Sequence, residues 1–245
     1  MKEQQKKYEL TGEFIEHWSG KKLYRIRALV SFGVVVAGQL GGFIESEKNL
    51  DQSLSGDAWV SGNARVYGDA WVYGNAEVSG DAWVYGNAEV YGNARVYGNA
   101  RVYGDARVYG NAEVYGDAWV YGNAWVYGDA QVSGNAQVYG DAQVYGDAQV
   151  YGDAQVYGDA WVRSYAVISE RKMIFGATNV GSENGTLTVF NGKDGLIVTR
   201  GCFTGTVDNF LAKSAEVHDD KTKNEYKLLI EVAKSRILGV KDERN

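Results

Sequence analysis

Between Leu54 and Val162 a branched aliphatic residue returns at every sixth position, from Leu54 through Val60, Val66 and Val72 to Val162. Each is followed by Tyr or Ser, then Gly, Asp or Asn, Ala and one variable residue, which gives 18 unbroken hexads. A period of six matches neither the 3.6-residue α-helix nor a plain alternation of faces. It does match a short strand closed by a tight corner. Gly takes positive φ freely and Asn or Asp tolerate it, so the Gly-Asp and Gly-Asn pairs mark the corners. Alternation along each strand then turns Val inward and sends its two neighbours outward, with the small Ala at the crowded inner edge. Stacked repeats of this kind predict a parallel β-helix.

The aliphatic residue, small residue and Gly-Asp or Gly-Asn corner resemble the left-handed β-helix of the hexapeptide-repeat proteins, over all 18 hexads. That resemblance, and not the spacing, supplies the handedness. It implies about six triangular coils of three hexads over residues 54–168, so that positions 18 apart stack at roughly 4.8 Å, the strand spacing. One corner column is then Asn63, Asp81, Asn99, Asp117, Asn135, Asp153, and another is Asp69, Asn87, Asp105, Asn123, Asp141, Asp159. Two carboxylates at that spacing repel by roughly 0.8 kcal/mol even in water, and interleaved Asn relieves the stack. Tandem duplication of a short multi-hexad unit gives the same alternation. Asp129 against Asp147 and Asp141 against Asp159 break it. On the outer faces, Tyr67 to Tyr157 form one ladder, Arg65, Trp83, Arg101 and Trp119 alternate cation and ring, and Gln131 with Gln149 and Gln137 with Gln155 make amide ladders.

Residues 1–53 predict a β cap and a first imperfect coil. Tyr8–Ile15 and Lys22–Leu29 are strand-like around the turn His17-Trp18-Ser19-Gly20. The glycine-rich stretch from Val36 to Ile44 lacks the Lys-Ser or Lys-Thr ending of a phosphate-binding loop. It reads better as the start of the stack, because an uncapped first coil is a template for strand addition. Residues 169–245 predict a small α+β domain, with strands near Met173–Gly176, Gly185–Phe190 and Gly195–Thr199. Helices follow over Val207–Val217, capped by Thr206, and Lys223–Leu238. The segments Leu23–Leu29, Gly38–Leu50 and Gly195–Asp220 resemble the end modules of hexapeptide-repeat proteins of phages and prophages. The resemblance implies a phage or mobile-element accessory protein.

Charge changes the picture more than composition does. Net charge is −6, yet residues 54–162 hold ten Asp and three Glu against four Arg, a local −9. Over about six coils that is one net charge per roughly 3.2 Å, about half the axial density of duplex DNA. Such a rod is not a direct nucleic-acid binder. The absence of an 18-residue apolar run and of a signal-peptide pattern implies a cytoplasmic chain without a membrane span. The single Cys202 excludes an internal disulfide and a cysteine-built metal site, and is expected to be buried.

Many hexapeptide-repeat relatives are trimeric acyltransferases that bind an acyl carrier between coils and use a His as general base. Here the only histidines, His17 and His218, lie outside the hexads and are expected to be solvated. The residues name no catalytic group, cofactor or metal ligand, and a Ca²⁺-binding repeat would need period nine. The leading expectation is a non-enzymatic acidic scaffold that binds a host protein, such as a defence protein that normally holds nucleic acid. Its candidate surface is Asp105, Asp117, Asp129, Asp141, Asp147, Asp153 and Asp159 with Tyr103, Tyr121, Tyr139, Trp83 and Trp119. A homotrimeric small-molecule or nucleotide binder or acyltransferase-like protein, and a virion spacer, are the alternatives. The aromatic ladder also suits sugars or bases.

Overall fold

In the computed structural model, which describes residues 5–239, the hexad valines line the axis of a parallel β-solenoid. Met1–Gln4 and Val240–Asn245, counted above in the terminal modules, lie outside the described residues. Most rungs are two-residue strands made of the variable residue and Val; Trp83–Gly86 and Arg101–Gly104 extend to four. From Val60 to Val150 every rung pairs with the one 18 residues on. Val66, Val84, Val102, Val120, Val138 and Val156 run up the first sheet, Val72 to Val162 the second, and Val60 to Ile168 the third. All of these side chains, and the hexad alanines, are buried. Corner glycines hold positive φ and also touch: a Cβ on Gly122 (φ +71°) would lie 3.1 Å from the Gly140 nitrogen. Only Gly meets both demands.

The stack has seven turns, six of regular hexads and, beneath them, an imperfect first coil. Its lowest turn comes from Ile44, Leu50 and Val60, which pair with Val66, Val72 and Val78. Ile44 and Leu50 each precede their partners by 22 residues, so four extra residues are looped out between Leu50 and Val60. Leu54, expected to be the first inward aliphatic, sits in that loop and is 49% exposed, whereas Leu50 is buried. The cause lies in distant contacts. Tyr8 Oη donates to the Leu50 carbonyl at 2.7 Å, and Asn49 Nδ2 donates to the Gly68 and Ala70 carbonyls at 3.0 and 2.9 Å. These bonds fix Leu50 under Val72 before the hexad grammar begins.

Strands β1 (Tyr8–Glu16), β2 (Lys22–Ala28) and β3 (Leu40–Ile44) are antiparallel, and β3 then runs parallel to Arg65–Val66, so the hairpin covers the lower edge of the first sheet. The glycine cluster is close packing: a Cβ on Gly41 would meet Ile26 at 2.5 Å and the Val60 oxygen at 2.6 Å. Gln52 ties the chain start to the first turn, its side chain accepting from the Lys7 and Tyr8 amides and donating to the Tyr8 carbonyl.

At the other end Ile174–Val180, Gly185–Gly192, Gly195–Arg200 and Phe203–Thr206 form a four-stranded antiparallel sheet, followed by α1 (Val207–Val217) and α2 (Asp220–Leu238). The last of these strands was not expected. Nor was Cys202 placed correctly: it is exposed, in the turn between two strands. Alternation splits the sheet's side chains. Phe190, Ile174 and Ile197 face the solenoid end, while Leu187, Val189 and Val198 pack with Phe210, Tyr226 and Ile230 of the helices. The open top edge is satisfied by side chains: the Trp161 amide donates to Thr188 Oγ1, Thr199 Oγ1 donates to the Trp161 carbonyl, and Asn191 Nδ2 donates to the Val167 carbonyl. No described helix is long and apolar enough to cross a membrane.

Two substitutions separate the inward positions from their look-alikes. Leu50→Ala should cost about 2–4 kcal/mol in urea unfolding, and Leu54→Ala at most about 0.5 kcal/mol. Val102→Asp, which buries a carboxylate without a partner in mid-stack, should abolish the cooperative transition or lower stability by about 3 kcal/mol or more.

Candidate interaction surface

The first sheet carries the most ordered outer face. Arg65, Trp83, Arg101 and Trp119 interleave, with guanidinium-to-ring distances of 4.8, 5.2 and 4.9 Å. Beside them Tyr67, Tyr85, Tyr103, Tyr121 and Tyr139 stack with centroids 4.8 to 5.0 Å apart, opening to 5.6 Å at Tyr157. Desolvation by the stack, then the neighbouring phenols of Tyr85 and Tyr121, pushes Tyr103 up to about 12. A second ladder, Tyr73 to Tyr145, runs up the second sheet with spacings of 4.7 to 4.8 Å.

The corners are wired with direction. Asn Nδ2 donates to the Asp one turn on: Asn63 to Asp81, Asn87 to Asp105, Asn99 to Asp117, Asn123 to Asp141 and Asn135 to Asp153, at 2.8 to 3.1 Å. On the third corner Asn75, Asn93 and Asn111 pass the same bond along to Asp129. Asn has both a donor and an acceptor and so can stack on itself; Asp can only end such a chain. Asp147 and Asp159 follow another Asp and have no Asn beneath them.

Of the twelve residues singled out from the sequence, ten share one side of the rod. Trp83, Tyr103, Trp119, Tyr121 and Tyr139 lie on the first sheet. Asp117 and Asp153 edge it at the corner from the third sheet, and Asp105, Asp141 and Asp159 at the corner to the second. Asp129 and Asp147 do not join them, because they sit on the remaining corner between the second and third sheets. A groove of about 330 Å³ follows the Asp117 border, between Arg101, Trp119 and Gln137 on one wall and Asn99 and Asn135 on the other.

Averaging the charge over the whole rod hides where it lies. Residues 108–162 hold six Asp and Glu113 and no Lys or Arg, while residues 54–107 hold six acidic residues and four Arg. Seven charges over three turns, about 14 Å, make one per roughly 2 Å, close to the roughly 1.7 Å of duplex DNA. The signal was present in the sequence, since Gln131, Gln137, Gln143, Gln149 and Gln155 fill the positions that Arg takes lower down.

Both histidines depart from expectation. His17 is not solvated but 8% exposed, its ring 4.7 Å from that of Tyr67 and its Nδ1 hydrogen-bonded to Ser19 Oγ at 2.7 Å. The hairpin turn folds it onto the foot of the tyrosine ladder. Burial, then the charges of Arg65 and Lys21, lowers its pKa against the opposing pull of Glu45. His218 is half-buried, edge-on to Tyr226 with centroids 5.5 Å apart. Among the described residues no group of three or more His, Cys, Asp or Glu is placed to hold a metal ion.

Asn123→Asp would join Asp105, Asp141 and Asp159 into four stacked carboxylates; it should cost about 1–2 kcal/mol at low ionic strength, with most of the loss recovered in high salt. Because the folded state resists protonating His17, stability of the N-terminal hairpin should fall as pH drops from 7 toward 5, through and below the ordinary histidine value of roughly 6.5. Hydrogen exchange of β1 and β2 reads this, and His17→Gln should flatten the slope.

The family model described as the YdcK beta solenoid repeat matches residues 58–74, and overlapping copies of it (88–104, 94–110, 100–116, 106–122, 118–134, 130–146, 136–152 and 148–164) tile the stack onward. No curated protein matches the chain. The matched windows and the 18-residue pairing agree on one architecture: the chain is a repeat β-solenoid protein.

Proposed function

We propose that the chain is a non-enzymatic binding scaffold, a left-handed triangular β-helix whose first-sheet face and acidic corners receive a basic surface of a protein partner. One observation carries this reading: between residues 108 and 162 six Asp stand on fixed corner columns with no Lys or Arg among them, and the one Glu, Glu113, is paired from the turn below by Arg95 at 3.7 Å. Carboxylates stacked one strand spacing apart repel, and Lys or Arg from a partner relieves that repulsion. The bordering Tyr and Trp rings add cation–π contacts to the same cations. Asp117, Asp141, Asp153 and Asp159 border the proposed face in this region, and a row of fixed anions there suits a partner that otherwise grips nucleic acid. Together with the likeness to phage and prophage hexapeptide-repeat proteins, this points to a host protein, encountered in the host cytoplasm, whose nucleic-acid site the rod occupies.

The test pairs capture from host lysate with titration of the captured protein. Asp141→Asn, Asp153→Asn and Asp159→Asn combined keep the corner hydrogen bonds, because Asn already stacks at positions 75, 93 and 111. The triple variant should bind the partner at least about tenfold more weakly, and affinity of the parent should fall with salt. Equal binding by the variant, or a salt-insensitive partner, would overturn the reading.

A further inference from the structure

The scaffold reading leaves unused a cleft in the C-terminal module, where the turn after Arg200 meets both helices. Open to solvent on one side, it offers about 160 Å³, close to the roughly 150 Å³ that accommodates a benzene ring in a protein interior. Its floor is aromatic, with Phe210 edge-on to Phe203 and to Tyr226 at centroid distances of 5.3 and 5.1 Å. One wall is cationic. Arg200 donates through Nε to Tyr226 Oη at 3.1 Å and through Nη2 to the Val180 carbonyl at 3.2 Å, which fixes the guanidinium plane. Lys213 stands on α1 beside it, loosely paired with Glu216 at 3.6 Å.

Two polar groups in the wall have no protein partner among the described residues. Ser214, 3% exposed, leaves its Oγ without a hydrogen bond, although a serine in a helix ordinarily returns its proton to the carbonyl one turn back. His218, at the C-terminal cap of α1, buries an unpartnered Nδ1. Glu183 is the one carboxylate in the lining, and Glu216, outside it, reaches Lys213 only in an exposed pair that a ligand carboxylate can replace.

We infer that this cleft binds a small organic monocarboxylate with a ring-sized apolar body. The carboxylate lies against Arg200 and Lys213 and accepts from Ser214, while the body covers Phe210 and Tyr226. This site is remote in kind from the acidic rod and stands whether or not the rod binds a basic protein.

Benzoate is the probe, titrated into the full chain and followed by calorimetry and by amide chemical shifts. Saturable binding is expected with a dissociation constant on the order of 1 mM or tighter. Shifts should centre on Ser214 and His218. Lys213→Gln and Ser214→Ala should each weaken binding at least about fivefold, and benzyl alcohol should bind at least about tenfold more weakly than benzoate. No saturation, equal affinity for benzyl alcohol, tighter binding of inorganic phosphate, or parental affinity in both variants would each overturn the assignment.

Discussion

Each residue of the solenoid has as its nearest neighbour the residue 18 positions on, one strand spacing above it, and the rest of the structure follows from that constraint. A column is stable only if its side chain tolerates a copy of its own kind at about 4.8 Å. Val does so through packing in the axis. Tyr does so by stacking, with rings 4.8 to 5.0 Å apart up the first sheet as far as Tyr139. Gly is required at corners because backbone follows backbone with no room for a Cβ. Asn stacks on itself through its two-sided amide, and Arg and Trp solve the problem by alternating. The monotony of the sequence is the set of answers to one geometric question, asked three times per turn.

A stack of this kind has two raw ends, and the terminal modules differ because the ends do. At the bottom, β1 and β2 extend the first sheet with antiparallel strands, while Tyr8 and Gln52 bond to the backbone of the lowest turn. At the top, no strand is added across Trp161; Thr188 and Thr199 bond to its amide and carbonyl instead. Phe190 then seals the aliphatic axis, so the C-terminal sheet is apolar on both faces, one toward the rod and one toward α1 and α2.

What could be read from the sequence divides along the same line. The columns, the cation–ring alternation and the amide ladders depend only on a fixed period, so the residues that stack could be named without coordinates. Leu54 matches the period but is looped out, because Tyr8, 42 positions before Leu50, and the bond from the adjacent Asn49 to the Ala70 carbonyl commit Leu50 to the column. His17 looked like a turn residue and is buried because its turn lands on Tyr67, 50 positions further on. Cys202 is exposed because the Phe203–Thr206 strand, too short to carry a pattern, pairs back and makes 201–202 a turn. Among the surface residues, the split of Asp129 and Asp147 from the other carboxylates followed from the register alone, whereas the C-terminal cleft joins strand, turn and two helices and has no local signature.

The corner columns also show what stability did not require. Asn75, Asn93 and Asn111 stack in succession with hydrogen bonds of 3.0 Å, so an all-Asn corner is compatible with the fold. Asp in place of Asn ends the amide chain and adds repulsion wherever two follow each other, as at 129 with 147 and 141 with 159. Burial of Val and Ala drives the stack whichever residue stands at the corner, since the corner side chains are exposed. The carboxylates of the upper three turns are thus a burden on the column that carries them, and the lower turns, with four Arg among their acids, show that the burden is avoidable. A rigid rod that concentrates carboxylates at one end, on exposed positions where a neutral residue fits as well, carries charge that its own packing does not need, and the proposed basic partner is the surface that such charge would complement.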